Sequence, residues 1–452
     1  MDGAQMAKLS GGEWRRLFDW PGVVPYMSSR QCAMSPLLRL PHELQLMVLG
    51  CVPLRDLFSL RAVSRGMRDL VDGAPPRLWD RVPAAEVRRE FLICCGRGAL
   101  DSLQWFGARF DSALGGLRRS RHSGTLGVTR AIDAVCGGGH VPVVQWLAGY
   151  LYLTPADIRA SSALSVACSG GHLYVATWLT TCFGLTAVDA RSGENRALLR
   201  ACAHGHWATA RWLAARFKLT ADDARTDNGY ALRQACCHGH WATARWLVRQ
   251  FGLTAMDVRT MGNWALRAAC TNGHLAVARW LVKRFKLTAD DARAMGNDAL
   301  RGTCVGGHLE TAQWLTDRFR LTANDARALC NDALRRACMF NRGSVVRWLV
   351  DRFELTADDV RDNDNRVLCD TCAKGHLELA QWLVDRFELT ADDARAQDNT
   401  ALRTACANGH LETAQWLVAR FELTADDTRG VVREARACGH HKIVAWLTTG
   451  IV

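Results

Sequence analysis

Between about residues 91 and 450 apolar and polar positions alternate with the spacing of α-helices, broken at regular intervals by Gly-His pairs and Leu-Thr-Ala runs. The stretch 297–328 shows one full period. Ala299, Leu300, Thr303 and Cys304 fall on one face of a helix that ends at Gly307-His308. A second helix, Leu309 to Phe319, sets Leu309, Ala312, Leu315 and Phe319 on one side, and Trp314 widens that stripe toward the core. Leu321 to Arg327 reads as a brief third helix, with Thr322 as its cap and Asp325 at the capping-box position. Asn297 precedes the first helix. Thr129, Ser161, Asn195, Asn263, Asn331, Asn365 and Asn399 hold the equivalent place, with Gly229 as the exception, and are predicted to be N-caps that satisfy amide donors left free at a helix start.

No such helix can hide its apolar stripe alone, so copies must stack. Tryptophan spacing shows the copies: Trp178, Trp212, Trp246, Trp280, Trp314, Trp348, Trp382 and Trp416 are each 34 residues apart. Trp105, Trp146 and Trp446 extend the series at less regular distances, which gives about eleven modules. The first is a degenerate copy followed by an insertion near 111–128. Nine cysteines recur in the same register: Cys136, Cys168, Cys202, Cys236, Cys270, Cys304, Cys338, Cys372 and Cys406. They are read as reduced core residues, which suits a reducing compartment, cytoplasm or nucleus.

The segment from Ala299 through Gly307-His308-Leu309 is similar to the first helix of ankyrin repeats, its Gly-His turn and the start of the apolar second helix. The resemblance covers about 91–450. Ankyrin repeats place a β-hairpin with a Gly-Ala-Asp turn between modules, whereas this chain supplies Leu-Thr-Ala-Asp-Asp-Ala-Arg. The expected fold class is therefore all-α, a helical solenoid of ankyrin-like repeats, and recognition through hairpin fingertips is not carried over. This variant resembles repeat proteins common in large DNA viruses of amoebae.

Ahead of the array, Pro41 suits the first turn of a helix carrying Leu44, Met47, Val48 and Cys51 at helical spacing, and Pro53 closes it. A second helix begins near Asp56 and a third spans Ser64 to Val71, a trio too small to be more than marginally stable alone. Leu40-Pro41, Glu43, Val48-Leu49, Asp56-Leu57, Val63-Ser64-Arg65 and the trailing Leu78-Trp79 resemble an F-box over 36–82, with Met67 where that family usually has Trp. The resemblance implies docking on Skp1, the adaptor of cullin-based ubiquitin ligases, through an apolar surface including Leu40, Pro41, Leu44, Val48, Leu49, Leu54 and Leu57. Capping of the solenoid's open end is the plainer role for these residues. Residues 1–35 lie outside both patterns; they lack a secretory layout, and whether they are ordered is left open.

Composition narrows the function. Hydrophobic residues make up 49% and charged residues 23% of the 452, and no stretch is long and apolar enough to span a membrane. Seven of the twelve net positive charges fall in residues 1–130, which leaves the array nearly balanced, as in a salt-bridged solvated face. Paired Cys and His, such as Cys304 with His308, have ligand-like spacing. Zinc needs four donors at about 2.0–2.3 Å while packed helices stand about 8–10 Å apart, so a structural role is favoured, with the Cys buried and the His ring tying the helix-to-helix turn by hydrogen bonds, and no metal or cofactor is expected. No module carries a distinctive nucleophile, base and orienting acid, so catalysis is not expected.

Positions that vary between otherwise matching modules mark a candidate client surface: Arg196, Arg200, Tyr230, Gln234, Trp264, Asp298, Asp332, Arg336 and Arg366. Idle drift on an exposed face is the alternative. The chain reads as a non-catalytic adaptor, the substrate-recognition subunit of an SCF-type ubiquitin ligase, with the F-box-like part on Skp1 and the repeats on a client protein. A scaffold that sequesters a host protein without the ligase is the runner-up. A nucleic-acid-binding solenoid using Arg200, Arg233, Arg267, Arg301, Arg335 and Arg403 is less favoured, because those arginines can pair with acids of the next module.

Overall fold

The computed structural model describes residues 45, 49, 65–74, 82–114 and 126–449, and the chain divides into two compact bodies, Met1–Leu185 and Thr186–Val452. The fold is the expected all-α, ankyrin-like solenoid. In the first body, Gln45 and Leu49 are helical and Arg65–Gly73 forms the helix anticipated at 64–71. The second helix of that trio, and most of the first, lie outside the described residues. Ala84–Arg97 and Leu100–Arg109 make the degenerate first module, held by Phe91 packed edge-on against Phe106. Arg109 fastens the preceding helix to it, donating to the Ala74 carbonyl at 2.8 Å and to the Asp72 carbonyl. Leu126–Gly138, Val141–Leu151, Pro155–Ala160, Ala163–Ser169 and Leu173–Cys182 complete this body.

In the second body most modules are a long bent helix followed by an eleven-residue helix, as in Ala255–Thr271 with Leu275–Phe285; one long helix is split into Ala323–Ala326 and Ala328–Met339, and the last described pair, Ala425–Ala437 and His441–Thr449, is shorter. Long helices pack side by side from module to module. Ala299, Leu300, Thr303 and Cys304 are fully buried, and burial pushes the Cys304 thiol up to about 12, so it stays protonated and inert.

Three expectations need correction. First, the brief helix and the long helix are continuous across a left-handed turn, and the Asn residues lie in that turn instead of capping. Met295, Gly296 and Asn297 have φ of 57°, 67° and 60°, a conformation that costs most L-residues about 1–2 kcal/mol and is least costly for Gly and Asn. The Asn side chain donates forward: Nδ2 of Asn195 to Thr226 Oγ1 at 2.9 Å, of Asn263 to Asp291 at 3.1 Å, of Asn331 to Asp362 at 3.1 Å. Thr129 lies inside Leu126–Gly138, while Ser161 does hold an amide, that of Ala163, at 3.2 Å.

Second, the tryptophans flank the core. Each of the eight spaced by 34 residues is half-buried, with its ring edge-on to the phenylalanine five positions later, as Trp314 is to buried Phe319 at 6.3 Å. Leu309, at the head of the same stripe, is also half-buried.

Third, the turn histidine ties its module to the one before. The Nε2–H of His172 donates to the Gly137 carbonyl at 2.8 Å, that of His376 to Met339 at 3.1 Å and that of His440 to Ala407 at 2.9 Å. The ring lies over the left-handed glycine of the preceding turn: a Cβ added to Gly273 would meet His308 Nδ1 at 2.4 Å. The module with Asn341-Arg342 in place of Gly-His keeps this contact. Asn341 takes the positive φ, and Arg342 covers Gly307 while donating to the Val305 carbonyl at 2.9 Å. It is a chemically substituted copy that keeps the join.

Candidate interaction surfaces

Every Leu-Thr-Ala-x-Asp-x-Arg segment of the second body begins as the sequence says, with Thr and Asp forming a reciprocal capping box. The terminal Arg does something local reading missed. Arg191, Arg225, Arg259, Arg293, Arg327, Arg361 and Arg395 each reach the capping Asp 32 residues on, in the next module. Arg259 binds Asp291 through Nε at 2.8 Å and Nη2 at 2.9 Å, a two-pronged pair. The constant spacing between Arg and the following Asp was the available signal.

The nine varying positions separate into two groups. Asp298, Asp332, Arg336 and Arg366 belong to a chain of alternating charge along successive long helices. Arg267 and Arg301 both bind Asp298; Arg301 reaches Asp332 at 2.6 Å; Arg335 and Arg336 reach Asp332 at 2.5 and 2.7 Å; Arg335 and Arg366 close on Asp370 at 2.9 and 3.1 Å. Asp332 is 3% exposed. Burial works to raise its carboxyl, yet the donors Arg336, Arg335 and Arg301 hold it below the usual value.

The other five lie nearer the start of the second body. Arg196 and Arg200 are exposed, and Tyr230, Gln234 and Trp264 are half-buried. The buried Arg233 guanidinium lies 5.7 Å from the Tyr230 ring and 5.1 Å from the Trp264 ring, while donating to the Asn228 and Asp227 carbonyls. The two aromatic residues are thus held as one rigid, part-exposed patch.

Five of the six arginines of the nucleic-acid track are engaged within the protein, Arg233 between aromatic rings, Arg267, Arg301 and Arg335 with aspartates, and Arg403 with Glu434 at 3.3 Å, while Arg200 is exposed. Among the described residues no three His, Cys, Asp or Glu side chains converge where a metal ion could sit, and no helix is long and apolar enough to cross a membrane. Of the anticipated Skp1-docking residues only Leu49 is described, and it is 1% exposed; Leu40, Pro41, Leu44, Val48, Leu54 and Leu57 lie outside the described residues.

A helical repeat protein with charge-matched seams between modules is the class these features define. Within it, residues 334–429 match the model of ankyrin repeats in three copies, and residues 37–79 match the model of the F-box domain. A comparison with curated proteins finds no match.

Proposed function

We propose that this chain is a non-catalytic interaction adaptor, the client-holding subunit of a cullin-based ubiquitin ligase of SCF type. The observation that carries the reading is the joining, in one chain, of an F-box match at 37–79 to a run of ankyrin-like modules. Leu40, Pro41, Leu44, Val48, Leu54 and Leu57 form the docking face for Skp1 in this reading, and Leu49, being buried, is left out of it. The client sits on the part-exposed patch of Tyr230 and Trp264 with Gln234, Arg196 and Arg200. Large aromatic and Arg side chains dominate interface centres, and this patch is stiffened in advance by Arg233. Asp298, Asp332, Arg336 and Arg366 serve it indirectly, by fixing how the long helices present themselves. Ubiquitin chemistry belongs to the ligase and its conjugating enzyme.

Replacing Leu40 and Pro41 together with Ala tests the reading: Skp1 should no longer copurify, while helical content stays unchanged. Retention of Skp1 by the double variant would remove the ligase reading and leave a scaffold that sequesters its client.

A further inference from the structure

Three consecutive second helices, Trp207–Phe217, Trp241–Phe251 and Leu275–Phe285, contain no Asp or Glu. With their C-terminal flanking residues they carry nine Lys and Arg, among them Arg211, Arg249, Arg279, Lys283 and Arg284, all exposed except the half-buried Arg245. Among the described residues none of the nine forms an ion pair. Later modules neutralise the same face: Asp317 meets Arg352 at 3.7 Å, Asp351 meets Arg386 at 4.0 Å and Asp385 meets Arg420 at 3.7 Å. The corresponding pairs in the basic stretch are Arg249 with Arg284 and Lys283 with Arg318, which are like charges. Repulsion stands at these two joins where three later ones have attraction.

A second observation falls on the same helices. Trp207 and Trp241 open two of them and are 45% and 41% exposed, at positions where Leu275, Leu309, Leu377 and Leu411 stand in other modules. Two large rings on adjacent modules are left in solvent beside unneutralised cations.

We propose that this face binds an acidic segment of a partner protein bearing apolar side chains. Its carboxylates meet the unpaired cations and its apolar groups cover Trp207 and Trp241. The sign of the partner follows from charge complementarity, and Trp with Arg is the composition that dominates interface centres. A protein segment fits better than a nucleic acid. Arg245 lies over the exposed Trp241 ring at 5.1 Å, so an aromatic face that a base would need is partly taken. This face belongs to the second helices, apart from the long-helix patch assigned to the client, and it does not depend on Skp1 docking.

The test uses the full-length protein and fluorescence anisotropy of a fluorescein-labelled peptide alternating Glu and Leu, with oligothymidylate as the second probe. Arg249→Asp with Lys283→Asp installs the aspartates of later modules opposite Arg284 and Arg318, and Trp207→Leu with Trp241→Leu restores the residue used elsewhere in the array. Both double variants therefore suit the fold, which thermal unfolding verifies. The peptide should bind saturably, at least about tenfold more weakly to the aspartate variant and several-fold more weakly to the leucine variant. Absence of saturable peptide binding, unchanged affinity in either variant, or tighter binding of oligothymidylate than of the peptide would overturn the proposal.

Discussion

Asp291→Asn isolates one rung of the seam between modules. The Asp291 carboxylate is 6% exposed and accepts five hydrogen bonds: from Arg259 Nε and Nη2, from the Thr288 amide and hydroxyl, and from Asn263. The Arg259 bonds first, with Thr288 and Asn263 adding to them against the opposing effect of burial, hold this carboxyl at about 2 instead of 3.8. That difference corresponds to about 2 kcal/mol of stability at neutral pH. Removing one partner of a buried ion pair costs about 3–5 kcal/mol, but Arg259 is 37% exposed and can turn to water, so about 2–3 kcal/mol is expected. Because stacked modules need not unfold in one step, the assay is hydrogen exchange of the amides in Ala255–Thr271 and Ala289–Gly306. The sign of the pH dependence follows from the depressed value. The stabilisation is complete above about pH 4 and is lost as pH falls through about 2, so the wild type has an acid slope that the Asn variant lacks at this rung. A double-mutant cycle with Arg259→Gln should return a coupling of about 1–2 kcal/mol. A loss under about 0.5 kcal/mol, or one confined to Ala289–Gly306, would refute the claim that the Asp links two modules.

Two further substitutions probe the packing. Phe319→Ala should cost about 3–5 kcal/mol and half-buried Trp314→Ala only about 1–2 kcal/mol, read from local exchange in the same way; equal costs would show that the ring at 314 belongs to the core. Gly273→Ala combines a strained φ of 72° with a collision against the His308 ring and should cost roughly 2–4 kcal/mol. Adding His308→Ala should restore only part of that, because the backbone strain stays; full restoration would mean that the glycine is needed for space alone.

The array was legible because its signals are local and repeated. Leu-Thr-Ala-x-Asp-x-Arg announces a capping box within four residues, and the period of 34 makes stacking unavoidable. Contacts that cross modules were harder to read. Asn is favoured both as an N-cap and in left-handed turns, and Gly229, which is weaker as a cap than as a left-handed residue, was the clue to the second. The arginine ending each motif looked like surface charge until its partner was placed one module on. Variation among modules misled in a different way. Asp298 and Asp332 differ from their counterparts yet pair with Arg267, Arg301 and Arg335, which recur from module to module, and a residue that answers its neighbour can differ between copies as much as one that answers a partner. Trp207 and Trp241 departed from the leucine of other copies in plain view, but whether a ring at the head of a helix lies in or out depends on packing that period alone does not fix.

The two sets of ion pairs have opposite consequences for how such a chain can change length. Any module ending in the Arg of the Leu-Thr-Ala motif can join any module beginning with its Thr and Asp, so that seam is a universal coupling, and duplication or loss of a whole period by slippage leaves every join intact. The alternating charges of the long helices are less portable: Asp332 keeps Arg335 and Arg336 of its own module wherever it goes, but its third cation, Arg301, belongs to the module before. Exchange of modules inside 267–370 can therefore break charge pairs between long helices that the universal seam does not replace.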